Sequence, residues 1–121
     1  MTDLSVHTAV RPGGVTVLTV RGEIDWTNSH RFDAAVQAAL AGPPTHLEVD
    51  LTAVVFMNSV GLAILLAGGR RAREEGIVYD VRPGPIVALL LERTGTAGLL
   101  SVGTPAPRAA GRRWRSGGGA P

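Results

Sequence analysis

Two β-branched runs open the chain. LSVHTAV (Leu4–Val10) and VTVLTV (Val15–Val20) show partial alternation and flank Arg11-Pro12-Gly13-Gly14, a strong turn signal. Together they predict a β-hairpin. After Gly22-Glu23-Ile24-Asp25 the period lengthens. Phe32, Ala35, Val36, Ala39 and Leu40 fall on one helical face, with Thr27, Asn28 or Ser29 available as a cap and Gly42-Pro43-Pro44 as a stop. THLEVDL (Thr45–Leu51) then sets Leu47, Val49 and Leu51 against His46, Glu48 and Asp50, the period of a half-buried strand whose acids form its solvated side.

A second helix is expected from about Val60 to Glu75, with Leu62, Ile64, Leu65 and Leu66 pointing inward and Gly76 closing it. Gly68 and Gly69 inside it cost about 1 kcal/mol each relative to alanine; simple tolerance and close approach by a partner or neighbouring helix both explain them. IVYDV (Ile77–Val81) reads as a further strand. Pro85 stands in the first turn of a short final helix, and AGLLSV adds a last short strand. The order β-β-α-β-α-β-α predicts an α/β domain over residues 1–103. Its mixed sheet has four to five strands, parallel at the centre, packed against about three helices. Residues 104–121, rich in Pro, Gly, Ala and Arg, are expected to be disordered.

Composition narrows the chemistry. At 121 residues with 45% hydrophobic content the chain suits one domain with one core. The absence of cysteine excludes disulfides, thiol catalysis and Cys-based metal sites. His7, His30 and His46 are scattered, so neither metal nor cofactor is expected. All twelve cations are arginine, and Arg108, Arg112, Arg113 and Arg115 lie in the tail. The remaining eight face ten acids, so the folded part is mildly acidic and direct DNA binding is not expected. The N-terminus lacks the basic start and apolar core of a signal peptide, and no apolar run spans a bilayer. A cytoplasmic protein is expected.

One polar pair interrupts FMNSVGLAILL (Phe56–Leu66): Asn58-Ser59, where strand gives way to helix. Either residue suits an N-cap. A nucleophile elbow would need glycine two residues before the serine, where Met57 stands, and no histidine follows Ser59 in the chain. A phosphoserine here would meet free amides and the positive end of the helix dipole, adding nearly two negative charges to a surface without disturbing the fold. Cap and phosphoacceptor are compatible, and the residues alone do not rank them.

VDLTAVVFMNSVGLAILL resembles the D-L-S/T … F-M-D-S-S/T-G-L pattern of the STAS domain family, in particular the bacterial anti-sigma factor antagonists (anti-anti-sigma factors). VLTVRGEIDWTNSHRF is similar to that family's G-E-L/I-D block, and RPGPIVALLLERTGTAGLLSV to its proline-led last helix. The match runs from about Thr2 to Val102. It implies a non-enzymatic partner switch in which Ser59 is phosphorylated by an anti-sigma factor with a GHKL-type serine kinase domain. The unphosphorylated form binds that partner and frees the sigma factor, and a phosphatase acting on phospho-Ser59 resets the cycle. The resemblance further implies that Asp25 orients the hydroxyl and shapes the interface, and that Gly61 and Leu62 form the turn and first buried residue of the recognition helix. Arg70 on its exposed face would contribute contacts. Two positions depart from the pattern: Asn58 replaces the usual aspartate and Val60 the usual Ser or Thr. The alternative implied by the same fold is a structural subunit of a transporter ATPase or stress-sensing complex, without a phosphorylation cycle.

Overall fold

The computed structural model describes residues 3–102; the expectation of disorder over 104–121, and the boundary at 103, lie outside the described residues. β1 (Ser5–Arg11) and β2 (Val15–Ile24) pair antiparallel without interruption, from Ser5 opposite Arg21 to Arg11 opposite Val15. Gly13 and Gly14 make the turn at φ 86° and 78°, a region that glycine enters without a Cβ penalty. There follow α1 (Ser29–Ala41), β3 (His46–Met57), α2 (Ser59–Glu74), β4 (Val78–Pro83) and α3 (Pro85–Thr94). A single 3-10 turn, Ala97–Leu99, leads into the two-residue β5, Ser101–Val102. The sheet order is β1-β2-β3-β4-β5, with β2 to β5 mutually parallel. This is the predicted mixed sheet, at the upper end of the expected strand count.

The sequence pattern explains the core. α1 buries Phe32, Val36, Ala39 and Leu40, and the central strands bury Leu18, Val20, Leu47, Val49 and Leu51 against the helices. On α2 the buried set is Gly61, Leu62, Leu65, Gly68, Gly69 and Ala72, with Ile64 and Leu66 packed at its margin. The two helical glycines have a specific reason. A Cβ on Gly68 would stand 2.7 Å from the Tyr79 hydroxyl and 2.8 Å from Val36 Cγ1, and one on Gly69 3.2 Å from the Tyr79 ring. The close approach is therefore internal: it admits Tyr79 beneath α2 and α1 alongside it. Tyr79 Oη donates to the Leu65 carbonyl at 2.8 Å, so the buried hydroxyl is satisfied, and burial pushes its pKa far up.

β3 is longer than its alternation foretells. The period-2 pattern ends at Leu51, yet the strand runs to Met57 because its pairing with β2 shifts twice, between Thr19 and Arg21 and again between Gly22 and Glu23. At the first shift Asp50 Oδ1 accepts from the Thr52 amide at 3.0 Å and the Thr52 hydroxyl at 2.7 Å, closing the irregular segment locally. Beyond it Val54 and Met57 are buried while Val55 and Phe56 face solvent. Pairing with β4 stops at Leu51–Pro83, so the last part of β3 projects past that neighbour. α3 packs chiefly against β3, burying Val87 and Leu91. Its entry is tight: a Cβ on Gly84 would lie 2.4 Å from the Thr52 carbonyl oxygen.

Of the two acids of β3, Glu48 is tied to β4 while Asp50 closes on Thr52, and His46 of β3 pairs with Asp80 of β4. Arg82 Nε lies 3.1 Å from Glu48 Oε2, and His46 Nε2 2.7 Å from Asp80 Oδ2. Both contacts are half-exposed and contribute little to stability.

Candidate functional site

The site is the rim where β2 and β3 end side by side. Ile24 and Met57 are their last paired residues, and the amide of Asn58 donates to the carbonyl of Ile24 at 3.1 Å. That bond joins the start of α2 to the β2–α1 turn. Asn58 is the cap: its Oδ1 accepts from the Gly61 amide at 3.0 Å, with extended backbone as an N-cap requires. Of the two residues that suit a cap, Asn58 is the one whose side chain caps the helix. Ser59 is the first residue of α2, exposed, and its hydroxyl makes no hydrogen bond among the described residues.

The amides of Ser59 and Val60 have no carbonyl to reach within the helix, so the positive end of α2 opens at the serine. Val60 stands 43% exposed beside it. Gly61 is buried, and a Cβ there would lie 2.9 Å from both Ile24 Cγ2 and Met57 Cγ. Leu62, at 7% exposure, seats the first turn in the core. Gly61 and Leu62 therefore hold the helix start from beneath. Arg70 is exposed on α2, about 16 Å from Ser59 at 1.5 Å per helical residue.

Asp25 lies one residue beyond Ile24, and its carboxylate organises its own turn. Oδ1 accepts from the Thr27 hydroxyl at 2.6 Å, the Thr27 amide at 3.0 Å and the Asn28 amide at 3.2 Å. The Thr27 hydroxyl, with those two amides, holds the carboxyl below its ordinary pKa against the opposing pull of burial. Asn28 precedes α1 without capping it through its side chain. Its amide group turns back instead, accepting from the Asp25 amide at 3.0 Å and donating to the Glu23 carbonyl at 3.0 Å.

The clamped turn presents Trp26, 78% exposed. With Val55, Phe56 and Val60, all between 43% and 53% exposed, it adds apolar surface to the rim around the serine. Sequence reading named Val60 among the partner-binding residues but passed over Trp26, Val55 and Phe56. Trp26 follows the GEID block directly, and an aromatic in so polar a turn was the available signal. Phe56 had none, because the register shifts that turn it outward leave no mark on composition.

Residues 7–101 match the family model described as Mlab, STAS domain. The chain belongs to the STAS domain family, among the anti-sigma factor antagonists. It is 43% identical over 86 residues to the anti-sigma-F factor antagonist RsfB of Mycobacterium tuberculosis, covering 67% of this chain and 70% of that one. A crystal structure of an anti-sigma factor antagonist from Mycobacterium paratuberculosis superposes with a TM-score of 0.72 at 32% identity, covering 83% and 85% of the two chains. The Bacillus cell fate determinant SpoIIAA in its phosphorylated form shares the fold, with a TM-score of 0.64 at 18% identity over 83% of this chain and 92% of that one. Among the described residues no helix is long and apolar enough to cross a membrane.

Proposed function

We propose that the protein is an anti-sigma factor antagonist that works by binding and not by catalysis. In its unphosphorylated form it docks an anti-sigma factor on the rim formed by Trp26, Phe56, Asn58, Ser59 and Val60, and the captured partner releases its sigma factor. Arg70 extends the contact along α2. The partner carries a GHKL-type serine kinase domain and phosphorylates Ser59, and a phosphatase restores the free hydroxyl. The cycle runs in the cytoplasm, with no direct contact to DNA.

The observation that supports this reading is the division of labour between Asn58 and Ser59. Asn58 fills the cap, which leaves an exposed hydroxyl at the positive end of a helix with no structural duty. A phosphate there is accommodated by the α2 amides and need not move the fold. It nevertheless places about 1.5 to 2 negative charges among apolar side chains that a partner would otherwise bury. The nearby Asp25 carboxylate, held ionised by its turn, adds to that charge.

The test is a pull-down from the native host's lysate with wild type and Ser59→Glu as baits, read by mass spectrometry. Wild type should retain a GHKL-type ATPase protein and the variant should lose it. Retention of the same partner by both baits would leave Ser59 as helix surface and favour a structural STAS subunit.

A further inference from the structure

β1 is the edge of the sheet, and its outer side is unpaired among the described residues. Edge strands in soluble proteins are usually blunted by lysine, proline, a bulge or short length. β1 has none of these. It runs seven residues, Ser-Val-His-Thr-Ala-Val-Arg, in unbroken register with β2, and its one permanent charge is the terminal Arg11. Val10 stands 76% exposed on it, whereas Val6 is partly buried against the core.

We propose that two copies of the chain join through β1, antiparallel about a two-fold axis at Thr8. The strand is self-complementary in that register. Thr8 meets the partner's Thr8, and Val6 meets the partner's Val10, so the exposed valine gains an apolar neighbour. His7 faces the partner's Ala9 and Ser5 the partner's Arg11. Asp3, exposed two residues before Ser5, lies diagonal to that arginine and gives it an opposite charge. The competing registers are worse. Centring on His7 brings Asp3 opposite the partner's Arg11 but sets two histidines face to face and places Val6 against Thr8. Centring on Ala9 sets His7 against the partner's Arg11.

Thr8 shares its face with Leu18, its buried cross-strand partner, so the joined sheets keep their helical layers on one side. β3 lies two strands, about 10 Å, in from the joined edge. Both Ser59 rims stay open and point to opposite ends of the common sheet. A single strand pair buries little surface, which makes the dimer weak and concentration-dependent.

Sedimentation equilibrium across a concentration series, on wild type and Val10→Lys, reads the association directly. The average mass of wild type should climb towards that of a dimer, while Val10→Lys, with an unchanged melting curve, stays monomeric. Because the chain has no cysteine, single-cysteine variants locate the contact. Thr8→Cys should form a disulfide-linked dimer under mild oxidation. Ser5→Cys should not, since its counterpart sits six residues away along the partner strand, about 20 Å. A wild type that stays monomeric throughout overturns the proposal. So does association of Val10→Lys equal to wild type, or cross-linking of Ser5→Cys as fast as Thr8→Cys.

Discussion

The amide of Asn58 and the carbonyl of Ile24 are joined at 3.1 Å, and this bond couples the two halves of the rim. On one side stands the Asp25–Asn28 turn that displays Trp26. On the other stands the helix start that displays Ser59. Each half is closed by its own side chain: Asp25 Oδ1 closes the turn and Asn58 Oδ1 closes the helix. The surface is thus ordered before any partner arrives, which lowers the entropic cost of docking.

The cap and the exposed serine beside it separate cleanly by mutation. Asn58→Ala should cost about 1 kcal/mol of stability, because the Gly61 amide loses its partner. Ser59→Ala should stay within about 0.5 kcal/mol of wild type. Urea denaturation of both variants checks this, and equal losses would mean that the cap is shared.

Gly61→Ala should destabilise by about 1 to 3 kcal/mol, since its methyl group would press on Ile24 and Met57 where the strands end. Thermal unfolding measures the loss. The same variant should bind its partner more weakly through displacement of the α2 N-terminus.

Tyr79 and Gly68 should be energetically coupled. Tyr79→Phe gives up the bond to Leu65 and should cost about 1 kcal/mol. In a Tyr79→Phe background Gly68→Ala should cost less than in wild type, because the hydroxyl at 2.7 Å is gone while Val36 remains. A double-mutant cycle gives the coupling, and strict additivity would place the clash elsewhere.

The Asp25 turn should show a signature in acid. The Thr27 hydroxyl holds the carboxyl below its ordinary value of 3.8, so its contribution to stability is fully present above the unfolded-state pKa and is lost as pH falls through the folded-state value. The stability difference between wild type and Asp25→Asn should therefore narrow at low pH. NMR titration of Thr27→Val should show the Asp25 pKa moving up towards the ordinary range.

Trp26→Ala should leave stability nearly unchanged, since the side chain is 78% exposed, yet weaken partner binding by about 2 kcal/mol or more. Calorimetric titration with the anti-sigma factor retained in the pull-down measures this. Unchanged affinity would exclude the tryptophan from the interface.

Most of the fold was legible because local signals and burial agree. Gly13-Gly14 made the hairpin, Phe32-Val36-Leu40 the first helix, and Leu47-Val49-Leu51 the central strand. The order of elements followed from the alternating periods, while the expectation of a phosphoacceptor at Ser59 rested on the resemblance of the block around it. What stayed hidden depends on register. Thr52 to Met57 do not alternate, because two shifts against β2 reset which side chains face the core, so Phe56 could not be placed on the surface. The reason for Gly68 and Gly69 was hidden too, since Tyr79 lies ten residues on and meets them only through the packing of β4 beneath α2.

The overhang of β3 beyond Leu51 and Pro83 has a bearing on how a surface of this kind can diversify. The segment that carries Val55 and Phe56 up to Ser59 is gripped by β2 and α3, while the central ladder beneath it is already complete. Substitutions on the overhang can reshape the exposed rim without unsettling the ladder. One scaffold can then carry many different surfaces, each distinguished by a few side chains at its lip.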